Sequence, residues 1–198
     1  MRDENRSLRQ DPIETAAYRM LEEKGFAGTS MQGIARKARA SNETLYNWYG
    51  DKQGLFKALV TRNAAEVKSL LEAELSGARD GLSILRLFGP KLLMVLLGDR
   101  AIALNRAAAA DPSGALGATL SQAGRESVFP LVVKVLEVAR QEGQLAFDHT
   151  ETAVGLYFDL LIGDLQIRRV IGRLPAPALE FCDARSERAI ALLRQILK

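Results

Sequence analysis

Residues 29–57 read TSMQGIARKARASNETLYNWYGDKQGLFK. Apolar spacing predicts a short helix over 31–38, a three-residue break, and a second short helix over 42–49. Gly50-Asp51-Lys52 then opens a third. Thr29 with Gln32 is the pattern of a capping box for the first of these, Ser41 is placed to cap the second, and Asp51 the third. Ile34, Ala35, Leu45 and Phe56 fall where such a group needs buried contacts. Two short helices on a tight turn, the second rich in exposed hydrogen-bonding side chains, is the layout of a helix-turn-helix reader of the DNA major groove.

Outward from that stretch almost everything keeps a helical period. Ile13, Ala16, Ala17, Met20 and Leu21 form one stripe, with Asp11-Pro12 as expected cap and first-turn proline and Gly25 as the stop. The helix after Asp51 is expected to run to about residue 76. Residues 82–97 are apolar on most sides and predict a buried helix with a kink at Gly89-Pro90. Further helices are expected over 100–110, 112–122, 125–141, 150–171 and 177–197. No segment alternates with a period of two, so the expected fold class is all-α. It divides into a three-helix head at 1–57 and a larger helical body at 58–198, with the head running into the body inside the fourth helix.

Composition narrows the class. The 198 residues are 47% hydrophobic and 26% charged, which excludes a disordered chain. Lys and Arg outnumber Asp and Glu by 27 to 24, too thin an excess to argue nucleic-acid binding by itself. Arg36, Lys37 and Arg39 nevertheless cluster beside the expected reading helix. A single cysteine, Cys182, rules out an internal disulfide and suits a reducing compartment. No long uncharged apolar run or signal-like N-terminus occurs, so a cytoplasmic protein without a membrane partner is expected.

Asn42, Glu43, Thr44, Tyr46, Asn47 and Trp48 cannot all face inward, and most are too polar to bury unpaired. Asn pairs with the N6 and N7 edge of adenine, Thr touches a thymine methyl, and Glu accepts from cytosine N4. Thr29, Ser30 and Gln32, at the start of the preceding helix, are placed for phosphate contacts. The block resembles the DNA-binding head of the TetR family of bacterial repressors in Thr29, Ile34-Ala35, Ser41, Thr44-Leu45-Tyr46, Trp48-Tyr49, Lys52 and Leu55-Phe56. The resemblance implies that Tyr46 meets a phosphate through its hydroxyl and that Lys52 acts on the DNA backbone beside a helix dipole. Two residues depart from the pattern. Arg39 stands where the family commonly places glycine, and a left-handed conformation there costs an arginine about 1 kcal/mol or more. Trp48 stands where histidine is common, leaving DNA contact and inward packing both open.

The resemblance also implies a homodimer, a double-stranded DNA operator and a small-molecule inducer as partners, with no cofactor and no metal. Helices 125–141 and 150–171 are apolar over more surface than one core face requires. Val128, Val132, Val135, Leu136, Leu156, Leu160 and Gly163 are the expected dimer contacts, with burial inside one subunit as the alternative. The pair, joined by GQLAF, resembles the C-terminal domain of AefR-like members. Phe88 and Tyr157, rings within apolar runs, are the candidate lining of a ligand cavity. Enzyme chemistry finds little material. His149 is the one histidine, in FDHTET, and only a Cys182–His149 pair could supply a nucleophile with its base. The expectation is a ligand-released repressor, not an enzyme, with a helical ligand-binding or interaction module that reads no operator as the alternative.

Overall fold

The computed structural model describes residues 2–198, with side chains from residue 10 onward. It is all-α, and no strand occurs among the described residues. Eleven α-helices are described: α1 (Arg2–Lys24), α2 (Met31–Ala38), α3 (Asn42–Tyr49), α4 (Lys52–Leu75), α5 (Gly81–Leu97), α6 (Asp99–Ala109), α7 (Ala115–Leu120), α8 (Glu126–Gln141), α9 (Thr150–Leu161), α10 (Leu165–Val170) and α11 (Leu179–Ile196). A π-helical turn at Ser121–Arg125 leads into α8. No single helix among the described residues is long and apolar enough to cross a membrane.

The chain packs as two compact units. Their limits differ from a division at 57/58, because residues 58–62 and 103–123 belong with the head. Ala103, Leu104, Ala107 and Leu116 complete an apolar core begun by Ile13, Ala17, Leu21, Ile34, Leu45, Leu55, Phe56 and Leu59. A three-helix head has little interior, and the added segment enlarges what it can remove from water. The second unit, 63–102 with 124–198, is built on one larger core of α5, α8, α9 and α11.

Local signals explain much of the head and correct some expectations. Ser41 caps α3, its Oγ accepting from the Thr44 N–H at 3.0 Å. Asp51 caps α4, accepting from the Gly54 N–H at 2.7 Å. Gly54 is required for another reason: a Cβ there would lie 1.9 Å from the Tyr49 carbonyl oxygen, so any side chain would push α4 off the end of α3. The cap of α2, however, is Ser30, which accepts from the Gly33 N–H at 3.1 Å. Thr29 is 4% exposed and donates back to the Gly25 carbonyl at 2.7 Å, so the expected Thr29–Gln32 capping box does not form. Asp11-Pro12 is likewise not a helix start. Pro12 lies inside α1, and the Asp11 carboxylate pairs with Arg62 of α4 instead of a backbone N–H. Arg62 also reaches the buried Glu14 at 3.1 Å.

In the second unit the expected helix over 150–171 is two helices. Gly163 takes a left-handed φ of 50° between α9 and α10, a conformation that ends a right-handed helix. Arg169, 9% exposed on α10, donates to the carbonyls of Leu97 at 2.8 Å and Leu174 at 3.1 Å and pairs with Asp99 at 2.6 Å. A buried guanidinium needs such a full set of acceptors. At the other end of α5, Asp80 caps the helix through the Ser83 N–H and also accepts from the Gln144 side chain, both at 2.9 Å. Hydrogen bonds from Ser83, then Gln144, hold its carboxyl at a pKa of about 2.

Candidate nucleic-acid interface

The α2–α3 turn is built from backbone. Arg39 has φ 54° and ψ 37°, the left-handed region, and is the one non-glycine residue with positive φ among those described. Its N–H donates to the Arg36 carbonyl at 3.3 Å, and the next N–H, of Ala40, reaches back to Ala35 at 2.9 Å. This pair of bonds is a Schellman motif with arginine in the position that favours glycine. The motif reverses the chain tightly enough for Ser41 to begin α3 two residues later.

On α3 the buried residues are Leu45 and Tyr49. Asn42, Glu43, Tyr46 and Asn47 are exposed, Tyr46 to 53% despite its ring. Their spacing (i, i+1, i+4, i+5) places them on one side of the helix, away from Leu45. Four of the expected reading residues therefore form one outward surface. Thr44 is half-buried and shares a 2.8 Å hydrogen bond between its hydroxyl and that of Ser41. Trp48 packs against the head core with its ring edge-on to Tyr49, centroids 6.4 Å apart, so inward packing accounts for much of its surface.

The four other expected contacts are not all placed alike. Ser30 and Gln32 are exposed at the start of α2. Thr29 is buried and engaged with Gly25, so its hydroxyl is not offered to a phosphate. Lys52 turns inward over the α1–α2 loop. Its Nζ donates to the carbonyls of Phe26 at 2.9 Å and Thr29 at 3.0 Å and lies 4.3 Å from the centre of the Phe26 ring. Two of its three N–H donors are thereby used within the head. Arg36 and Arg39 are exposed, whereas Lys37 is paired with Glu23 of α1 at 2.7 Å.

The expected dimer contacts divide sharply. Val128, Val132, Val135 and Leu136 are buried in the core of the second unit, so they are not available to a partner as an outer face. Leu156 and Leu160 are half-buried and Gly163 is exposed. Beyond the break at Gly163, Ile167 and Ile171 are 56% and 61% exposed, and Leu179, Phe181 and Ile196 of the last helix are exposed as well. These five were not among the expected contacts. Phe88 and Tyr157 are both fully buried in the core of the second unit. Cys182 is buried there too, and burial followed by the nearby Asp183 charge pushes its thiol up, away from the thiolate a nucleophile needs. His149 is exposed at the start of α9.

Comparison with known proteins decides the family. Residues 13–59 match the model for bacterial regulatory proteins of the tetR family, and residues 83–194 match that for the C-terminal domain of AefR-like transcriptional repressors. This is a TetR-family chain. It is 30% identical to a TetR transcriptional regulator from Agrobacterium tumefaciens, over 96% of this chain and 94% of that one, with a TM-score of 0.73. The flavonoid-responsive regulator FrrA is 25% identical, covering 97% and 98%, with a TM-score of 0.69. Among curated proteins, the uncharacterized HTH-type transcriptional regulator YvkB of Bacillus subtilis (strain 168) is 37% identical over 57 residues. That match spans 29% of this TetR-family chain and 30% of YvkB.

Proposed function

We propose that this TetR-family chain is a sequence-specific DNA-binding repressor that acts as a homodimer on a near-palindromic operator and is released by a small, mainly apolar ligand. The observation that carries the proposal is the exposed surface of Asn42, Glu43, Tyr46 and Asn47 on a helix whose other side is held by Leu45 and Tyr49. Asn42, Glu43 and Asn47 are the candidates for base edges, and Tyr46, Ser30 and Gln32 for the phosphates. Arg36 and Arg39 add positive charge beside them.

A helix-turn-helix monomer reaches few base pairs, and two heads paired by symmetry read two half-sites. We place the partner copy on Leu156, Leu160, Gly163, Ile167 and Ile171, with the exposed apolar residues of α11 as continuation. An apolar surface of this kind, left open in a single chain, fits a second copy of itself. The family model describes transcriptional repressors, which supports repression over activation. FrrA is flavonoid-responsive, which supports a small-molecule ligand for a relative of its fold. Weakening operator binding about a hundredfold requires the ligand to favour the non-binding state by roughly 2.7 kcal/mol.

The test is fluorescence anisotropy with DNA from upstream of the gene, across a salt series. Specific binding by a species of about twice 21.7 kDa, weakened by Tyr46→Phe and redirected in base preference by Asn42→Ala, is the expected result. Binding that ignores all changes on the outer side of α3 would refute it.

A further inference from the structure

Two hydroxyls in the core of the second unit have no hydrogen-bond partner: Tyr157 Oη on α9 and Ser186 Oγ on α11. Both side chains are buried, at 0% and 1% exposure. They converge on one place. A Cβ built on Gly89 of α5 would lie 2.1 Å from Ser186 Oγ and 3.1 Å from Tyr157 Oη. The next residue, Pro90, has no N–H with which to close onto the Arg86 carbonyl, so α5 is itself short of a donor at this turn. Around this point the helical neighbours are apolar and buried: Leu85 and Leu93 on α5, Val154 and Leu161 on α9, Cys182 and Ile190 on α11.

Buried polar groups are paired in nearly all native structures, and two orphans facing one spot call for a partner. We propose that Tyr157 and Ser186, meeting over Gly89, anchor the polar end of a neutral, hydroxyl-bearing apolar ligand such as a phenol or an alcohol. The proposal rests on the ligand-released reading above and names the chemistry of that ligand. Each hydroxyl can both donate and accept, so together they satisfy a ligand hydroxyl, which does the same. A carboxylate is disfavoured, because its charge would be desolvated among leucines and valines. Burial raises the Tyr157 phenol above its ordinary pKa, so it stays a neutral hydroxyl at any physiological pH. Unmet hydrogen bonds raise the free energy of the core, and a ligand that meets them recovers that deficit on binding.

The experiment uses the full-length protein with two probes of matched shape, 4-propylphenol and propylbenzene, by isothermal titration calorimetry. The phenol should bind roughly tenfold or more tighter than the hydrocarbon, the value of one or two net hydrogen bonds. Tyr157→Phe and Ser186→Ala, both slight losses of volume, should each shrink that preference while leaving propylbenzene affinity unchanged. Circular dichroism checks that both variants fold, and if either does not, the wild-type preference alone decides. Equal affinity for the two probes, no binding of either, or an undiminished preference in folded Tyr157→Phe/Ser186→Ala overturns the proposal; the pair is then a core defect bridged by water. Operator binding of the same preparations is measured without probe. Intact operator binding with no phenol preference removes this site alone, and a phenol preference with no operator binding removes the DNA reading alone.

Discussion

Replacing Arg39 by glycine isolates one backbone angle. At φ 54° an L-residue brings its Cβ against the following carbonyl, and arginine gains nothing locally in return, since its side chain is exposed. The left-handed penalty is roughly 1–2 kcal/mol for a residue with a Cβ. Glycine returns about 0.5–1 kcal/mol of that through its greater freedom in the unfolded chain. Arg39→Gly should therefore stabilise by about 0.5–1 kcal/mol, since both bonds of the Schellman motif come from backbone and survive the change. For a chain of this length that is a rise of about 1–4 °C in the thermal midpoint, followed by circular dichroism. Arg39→Asn serves as a control that loses the charge but tolerates the left-handed region. Unchanged or lowered stability in Arg39→Gly would refute the account of the turn. The same variants separate strain from function: if Arg39 touches a phosphate, both lose about one unit of salt slope in operator binding.

Lys52→Met removes both bonds to the loop carbonyls and the ammonium over the Phe26 ring, and should cost about 1–2 kcal/mol in urea unfolding; full wild-type stability with a reduced salt slope would instead make Lys52 a phosphate contact. Asp80 has a folded pKa depressed to about 2 from the ordinary 3.8, so its contribution is complete above the unfolded value and is lost as pH falls toward 2. Unfolding measured from pH 5 to pH 2 should lose that component in Asp80→Asn, and an unaltered pH profile would contradict the cap. Ile171→Asp, on an exposed site, should leave the fold within about 0.5 kcal/mol while lowering the mass seen by light scattering, whereas Val132→Asp should unfold the chain. A dimer unmoved by Ile171→Asp together with Ile167→Asp would place the interface elsewhere.

Sequence alone determined what depends on near neighbours. Ser41 and Asp51 act on an N–H three residues away, and the alternation of Leu45 and Tyr49 with polar residues sets which side of α3 is buried whatever packs against it. The same short range made the family motif readable and marked Arg39 as the strained residue of the turn. Tertiary structure decided the rest, where several partners compete for one group. Thr29 and Ser30 are equally good caps by type, and only the burial of Thr29 against Gly25 assigns the cap to Ser30. Asp11 could start a helix but pairs with Arg62, 51 residues away, and Lys52 could face DNA but closes the α1–α2 loop. Apolar excess on α8 and α9 showed that surface had to be covered, not by what. The fold buries Val132 and Leu136 within one chain and leaves Ile167 and Ile171 outside, because α5 and α9 pack on α8 while the break at Gly163 carries Ile167 onto the separate helix α10 and Ile171 to its end. The Tyr157–Ser186 pair belongs wholly to this second kind, since no periodicity relates residues on α5, α9 and α11 until the three helices pack.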